Sequence, residues 1–122
     1  MSLDTTNRIE VDEVRGYNVL KRVTKSKYTE IITCGRGGLS VAQRLAYHLD
    51  IPVMVWKKAF LSDLKPNQLF VDDIVCSGAT IGLLPRNVDT AVLVQRKSAL
   101  YKATYSGITV TSDNYVTFSW EK

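Results

Sequence analysis

Residues 70–80 read FVDDIVCSGAT. In this stretch two acids connect an apolar run to a turn of small residues. Successive backbone N–H groups in such a turn form a concave, partly positive surface that suits a phosphate. Ser77 and Thr80 add hydroxyl donors to it. Asp72 and Asp73, which only accept hydrogen bonds when ionised, can hold paired sugar hydroxyls and retain magnesium through water. The stretch therefore predicts a strand that ends at a site for a phosphorylated pentose.

Outward from this stretch, short apolar runs alternate with segments of helical periodicity. The apolar runs lie at residues 30–34, 52–56, 69–71, 90–94 and 115–118. A helical pattern follows Asp12 and recurs over 39–49, and a short helix is predicted over about 80–84, where Pro85 ends it. This alternation indicates an α/β protein with a Rossmann-like parallel sheet of about five strands and helices on both faces. We expect one domain over residues 1–122, with ligands bound beyond the carboxyl ends of the strands.

The overall composition limits the partners and the cellular setting that the sequence predicts. The 122 residues carry a net charge of +4, and the densest basic run, Lys21–Lys27, is interpreted as a solvated helix face. No nucleic-acid partner is therefore predicted, although the positive surplus suits a small polyphosphate. The two cysteines lack the spacing of metal ligands, and the sequence shows neither an apolar leader nor a long apolar span. We therefore expect a cytoplasmic setting without membrane association.

A second candidate loop, GRGG at residues 35–38, follows the first predicted strand. Arg36 is a fixed cation beside several exposed N–H groups, an arrangement that can bind a diphosphate. Two alternatives stay open at this point: the glycines serve only the turn, or the acid pair is structural. A P-loop is disfavoured because no GxxxxGK[ST] occurs, and a cysteine-phosphatase loop fails because Gly82 stands where it needs an arginine.

Three segments resemble the type I phosphoribosyltransferase family. Residues 71–80 are similar to its ribosyl-phosphate signature, with a hydrophobic strand, two acids, a hydrophobic pair and a turn ending in Gly-x-Thr. Residues 31–55 are similar to its diphosphate loop and the helix that follows. The tail over residues 113–121, DNYVTFSWE, resembles the base-binding end of the xanthine-guanine type. The resemblance covers about residues 28–121 and implies a phosphoribosyltransferase fold with a reduced hood.

The resemblance implies transfer of ribose 5-phosphate from phosphoribosyl diphosphate to a 6-oxopurine base, with Mg²⁺ as cofactor. Asp72 and Asp73 would hold the ribose hydroxyls and, indirectly, the metal, and Arg36 would meet the diphosphate. A cis peptide at Gly35–Arg36 is also implied. At the base, Tyr115 would stack, the Val116 backbone would read the purine edge, and Arg96 or Lys97 would meet the 6-oxo group. The remaining implied contacts, for the diphosphate and the 5-phosphate, are Gly35, Gly37, Gly38, Val75, Cys76, Ser77, Gly78, Ala79 and Thr80.

Two departures from the family pattern stand out. Cys76 replaces an acid that assists purine deprotonation, and a thiol is a poor acceptor that is mostly protonated at neutral pH. The segment Lys57–Leu69 is short for the mobile lid of this class. An alternative function therefore stays open, namely a sensor or regulatory module that binds phosphoribosyl diphosphate or a nucleotide without catalysis. Apolar residues of the short segment are compatible with a homo-oligomer that completes the site.

Overall fold

The computed structural model describes residues 8–112 and 114–121, so Asp113 of the quoted tail lies outside the described residues. Within them the strands are β1 (Arg8–Glu10), β2 (Glu30–Thr33), β3 (Val53–Val55), β4 (Gln68–Val75), β5 (Thr90–Arg96), β6 (Tyr105–Val110) and β7 (Tyr115–Thr117). The α-helices are α1 (Glu13–Val23) and α2 (Gly35–Leu49), and short 3₁₀ helices lie at Lys58–Asp63, Ile81–Leu83 and Ser119–Glu121.

Five of these strands form one parallel sheet in the order β3-β2-β4-β5-β6, which confirms the expected α/β class. One of the five strands in this sheet differs from the prediction. Residues 105–110 form the fifth strand, which the sequence pattern did not indicate because it is only half-buried and interrupted by Gly107. The predicted strand at 115–118 instead forms β7, which pairs with β1 in a separate two-stranded sheet.

Both α-helices pack on one face of the sheet. Asp12 caps α1 by accepting a hydrogen bond from the Arg15 backbone N–H at 3.1 Å, as its position before the periodic stretch predicted. The apolar sides of α1 and α2 join Ile31, Leu69 and Leu93 in the main core. On the opposite face, Ile32 and Phe70 are covered by the 3₁₀ helix at Lys58–Asp63 and the residues that follow it.

The segment Lys57–Leu69, which is short for a lid, contributes residues to the core. Leu61 and Leu64, within and just after the 3₁₀ helix at Lys58–Asp63, are almost completely buried. The short predicted helix near Thr80 is the single 3₁₀ turn Ile81–Leu83, which ends before Pro85. Among the described residues, no helix combines the length and the apolar character needed to cross a membrane.

Candidate functional site

The acid pair lies within β4 rather than after it. Asp72 and Asp73 occupy adjacent positions near the carboxyl end of that strand, and both are half-buried. Each carboxylate accepts a hydrogen bond at 2.9 Å from the backbone N–H of the next residue, Asp73 for the first and Ile74 for the second. Because β2, β4 and β5 run parallel, their carboxyl ends share one edge of the sheet, and the acids stand at that edge.

The first turn of α2 packs directly on these carboxylates. A Cβ atom added to Gly37 would lie 2.2 Å from Asp73 Oδ2, and one added to Gly38 would lie 3.1 Å from Asp72 Oδ1. The Gly38 Cβ would also lie 2.3 Å from the hydroxyl oxygen of Thr33, the last residue of β2. These glycines therefore allow the helix end to approach the acids, so the structure brings the two loops of the sequence prediction together.

The electrostatics of the acid pair are unusual. Burial raises the pKa of Asp72 from 3.8 to about 8, and a hydrogen bond with Asp73 and the charge of that neighbour act in the same direction. The positive charge of Lys58 opposes the rise but does not cancel it. The pKa of the Cys34 thiol is raised as well, mainly by burial and further by the Asp72 charge. A cation bound at this edge would favour the ionised form of Asp72 and lower its pKa.

The N-terminus of α2 lies at the same edge of the sheet as the acids. The helix begins at Gly35, four residues before the start that periodicity predicted, so the GRGG segment is its first turn. The capping residue, Cys34, makes no side-chain hydrogen bond to the helix end, which leaves the first backbone N–H groups for a ligand. Arg36 is exposed in this turn.

The expected cis peptide at Gly35–Arg36 is wrong. All peptide bonds among the described residues are trans. The chain turns from β2 into α2 by a different device, because Gly35 adopts a φ of +77°, which residues with a Cβ atom rarely adopt.

The predicted phosphate loop follows β4 and lines a small cleft of about 130 Å³. Its walls are Asp72, the end of β4 and residues 76–81. The Ala79 backbone N–H donates to Ser77 Oγ at 3.2 Å, which folds the turn on itself. Gly78 has a φ of +90°, and a Cβ atom there would lie 2.7 Å from the Tyr101 backbone nitrogen. Asp72 and the small-residue turn therefore share one cavity, and Cys76 lies exposed in its wall.

Thr33 is a site residue that the sequence reasoning missed. It is completely buried, and its hydroxyl oxygen has no hydrogen-bond partner within the described part of the chain. Such a group is costly unless it is paired. Its position against Gly38 and Asp72 places an unsatisfied hydroxyl at the junction of the helix end and the acids.

The two candidate cations at the end of β5 have different surroundings. Arg96 is buried, and its guanidinium donates to the backbone oxygen of Asn114 at 2.6 Å and also to that of Ser112. Arg96 is thereby engaged in holding the segment that leads into β7. Lys97, the next residue, is exposed.

The tail residues that the resemblance assigned to the base divide between surface and core. Tyr115 is 54% exposed, and its hydroxyl donates to Glu121 Oε2 at 2.5 Å. Val116 is buried and pairs with Ile9 between β7 and β1.

The donor set fits magnesium only in an indirect manner. Among the described residues, no three or more His, Cys, Asp or Glu side chains are grouped to hold a metal ion. Asp72 and Asp73 supply two carboxylates, and Mg²⁺ is commonly held by one or two carboxylates together with waters and substrate phosphates. The residues present therefore fit a magnesium ion that arrives with a phosphorylated ligand.

Comparison with known proteins identifies the fold. No protein-family model matches the sequence, and no curated protein matches it. Among solved structures, a purine phosphoribosyltransferase from Pyrococcus horikoshii Ot3 is similar with a TM-score of 0.71 and 22% identity, over 95% of each chain. A hypothetical protein from Neisseria gonorrhoeae with bound ppGpp gives a TM-score of 0.68 and 23% identity, over 94% of this chain and 89% of that one.

A third solved structure extends this picture. Helicobacter pylori xanthine-guanine-hypoxanthine phosphoribosyltransferase gives a TM-score of 0.62 and 22% identity, over 93% of this chain and 90% of that one. The chain therefore has the type I phosphoribosyltransferase fold, as the resemblance implied. The two-stranded sheet of β1 and β7, with the turn at Ser119–Glu121, stands beside the main sheet as a small hood.

Proposed function

We propose that this protein transfers ribose 5-phosphate from phosphoribosyl diphosphate to a 6-oxopurine base and releases diphosphate. The observation that carries the proposal is the convergence of three elements at one edge of the sheet. The acid pair of β4, the uncapped first turn of α2 and the loop of residues 76–80 lie together there. One pentose with a phosphate at one end and a diphosphate at the other matches this arrangement.

Each part of the ligand has a matching part of the protein. The 5-phosphate would bind the backbone N–H groups and hydroxyls of residues 76–80. The ribose hydroxyls would donate to Asp72 and Asp73. The diphosphate would meet Arg36 and the free N–H groups of the first turn of α2, where the helix end is positive. The approach of Gly37 to Asp73 brings the diphosphate position beside the ribose position.

The chemistry needs stabilisation of the departing diphosphate. In the reaction the bond from the anomeric carbon to the diphosphate oxygen breaks, a bond to a purine nitrogen forms, and that nitrogen loses its proton. The sugar carbon acquires oxocarbenium character, as in glycosyl transfer generally. Arg36 and the helix N–H groups are suited to receive the growing negative charge. Magnesium, when bound with the substrate, supplies further charge neutralisation.

The base would lie at the carboxyl end of β5 beside β7. Lys97 suits the 6-oxo group better than Arg96, because the Arg96 guanidinium is already bonded to backbone oxygens. Tyr115 has more than half of its surface exposed for stacking, although its hydroxyl is held by Glu121. The backbone of Val116 would read the purine edge.

A second candidate is a binding module that keeps the ligand site without turnover. Cys76 favours it, because this exposed thiol stands where the resemblance places the acid that assists purine deprotonation. The Neisseria gonorrhoeae protein of the same fold was solved with ppGpp, so a regulatory nucleotide is a reasonable ligand to test. The shortness of the segment Lys57–Leu69 does not favour this candidate, because the Pyrococcus horikoshii purine phosphoribosyltransferase has a chain of nearly the same length.

Calorimetry tests the shared part of both candidates. Titration of phosphoribosyl diphosphate with Mg²⁺ should release or absorb heat, and Asp72→Asn with Asp73→Asn should weaken binding strongly. Asp50→Asn is the matched control, because it removes one charge at the far end of α2. An absence of binding by the unchanged protein would refute both candidates.

Turnover separates the two candidates. Guanine, xanthine or hypoxanthine mixed with phosphoribosyl diphosphate and Mg²⁺ should yield the corresponding nucleotide and diphosphate, which chromatography resolves. Binding without any of these nucleotides would select the non-catalytic module.

A further inference from the structure

The turn Ser119–Glu121 reaches the first turn of α2, where Asp73 also packs. The Trp120 indole nitrogen Nε1 lies 3.5 Å from the position that a Cβ atom on Gly37 would take, and Asp73 Oδ2 lies 2.2 Å from the same position. The indole N–H and this carboxylate oxygen therefore converge on the first turn of α2. An indole nitrogen can only donate a hydrogen bond, and an ionised carboxylate can only accept one.

The indole ring is held in this orientation by stacking. It lies parallel to the Phe118 ring, with ring centroids 4.5 Å apart and an angle of 5° between the planes. Phe118 is 2% exposed and belongs to the main core, so the surface on which the indole rests is rigid. Trp120 itself is half-buried, which leaves room for a ligand beside it.

The backbone of the turn is fixed as well. Glu13, in the first turn of α1, accepts hydrogen bonds from the Ser119 backbone N–H at 2.7 Å and from its hydroxyl at 2.8 Å. Glu121 accepts one from the Phe118 backbone N–H at 3.0 Å and another from the Tyr115 hydroxyl. The turn is thus attached both to α1 and to the candidate base-binding tyrosine.

We propose that Trp120 is a positioning residue whose indole N–H orients the Asp73 carboxylate towards the ribose of the bound substrate. This inference rests on the proposed function. The N–H donates to Asp73 Oδ2 when the pentose and its cation draw the carboxylate into place. Because the same turn carries Glu121, which holds Tyr115, it links the base end of the site to the ribose end.

A double-mutant cycle on substrate binding tests the proposal. Trp120→Phe keeps an aromatic ring to stack on Phe118 but removes the N–H, so affinity for phosphoribosyl diphosphate with Mg²⁺ should fall about tenfold, as for a lost hydrogen bond to a charged group. In an Asp73→Ala background, which removes the acceptor, the same change should alter affinity by no more than about twofold. Trp56→Phe, at the other tryptophan, is the matched control and should leave affinity within about twofold of the unchanged protein.

A measurement on the unmodified ring covers the case in which Trp120→Phe does not fold. The two indole N–H resonances are distinguished by Trp56→Phe, which removes one of them. Saturating phosphoribosyl diphosphate and Mg²⁺ should move the remaining Trp120 resonance downfield and slow its exchange with water, as expected when an N–H enters a charge-assisted hydrogen bond.

The outcomes separate the inference from the proposed function. If the unchanged protein binds no phosphoribosyl diphosphate, both are refuted. If it binds, and either the tenfold loss persists in the Asp73→Ala background or the Trp120 resonance is unaffected, only the role of Trp120 is refuted. Binding that Trp120→Phe leaves unchanged also refutes it.

Discussion

Asp72 should destabilise the folded protein at alkaline pH, and Asp72→Asn should remove that cost. Burial and the neighbouring Asp73 raise the pKa of Asp72 from 3.8 to about 8. The folded state therefore holds a proton that the unfolded chain releases. The resulting stability is fully present below pH 3.8 and is lost as the pH rises through about 8.

The size of the effect follows from the shift. One pKa unit corresponds to about 1.4 kcal/mol, so the whole shift from 3.8 to about 8 sets an upper bound of about 6 kcal/mol. Water reaches an ionised carboxylate at the open cleft and reduces this cost, and we expect Asp72→Asn to raise the unfolding free energy by about 2 kcal/mol near pH 9. Near pH 5 the gain should be smaller, because stability falls progressively from pH 3.8, where the unfolded chain loses this proton, to about pH 8, where the folded protein loses it. The asparagine oxygen can still accept the hydrogen bond from the Asp73 backbone N–H.

Urea denaturation of both proteins near pH 5 and near pH 9 measures this difference. Asp50→Asn serves as the control, because it removes an exposed charge at the C-terminal cap of α2, where the backbone φ of 56° also suits asparagine. The reasoning is refuted if Asp72→Asn lowers stability equally at both pH values. It is also refuted if the control shows the same pH-dependent gain. A stabilised variant that no longer binds phosphoribosyl diphosphate would indicate that the acid is kept for the ligand at a cost in stability.

Four further substitutions test separate parts of the site. Gly37→Ala should weaken phosphoribosyl diphosphate affinity at least about tenfold with little loss of thermal stability, because the added methyl group clashes with the side-chain end of Asp73 and makes only an ordinary contact with Trp120. Equal loss of affinity in calorimetry and of melting temperature would contradict this. Cys76→Asp should raise the turnover of 6-oxopurines about 10²-fold or more if the missing acid limits the rate, and an unchanged rate would exclude that role. Arg96→Met should lower the melting temperature, since backbone oxygens lose a buried donor, whereas Lys97→Met should leave melting unchanged and raise the KM for the base. If Lys97→Met lowered the melting temperature and Arg96→Met raised the KM for the base, the roles of the two residues would be exchanged.

Much of the fold was predictable because its strands are buried on both faces and read as apolar runs. β2, β4 and β5 were all found in this way, although the acids were placed after β4 and not within it. β6 was missed for the opposite reason. It is an edge strand with half-buried residues, and Gly107 in its middle lets the backbone of α1 at Gly16 approach closely, so its sequence lacks an apolar run.

The predicted start of α2 was four residues too late, because apolar periodicity marks only the residues that pack against the core. The first turn of this helix has few apolar side chains, since Gly37 and Gly38 face the carboxylates of β4 instead of the core. A run of glycines is unfavourable within a helix and therefore reads as a loop. Here the close approach of the helix to the acids requires glycine, and this tertiary requirement outweighs the helix propensity.

Some site residues could be predicted from neighbouring sequence, whereas others depend on contacts between distant parts of the chain. The acids and the small-residue turn lie together in the sequence, so their chemistry was visible as one motif. Thr33 is far from them in the chain, but the pairing of Ile32 with Phe70 carries it to the level of β4 at which the acids begin. Once β2 and β4 were taken as neighbouring parallel strands, the polar residue that ends β2 could have been assigned to the same edge. Trp120 offered no comparable signal, because its position near Gly37 depends on the way the turn after β7 is attached to α1.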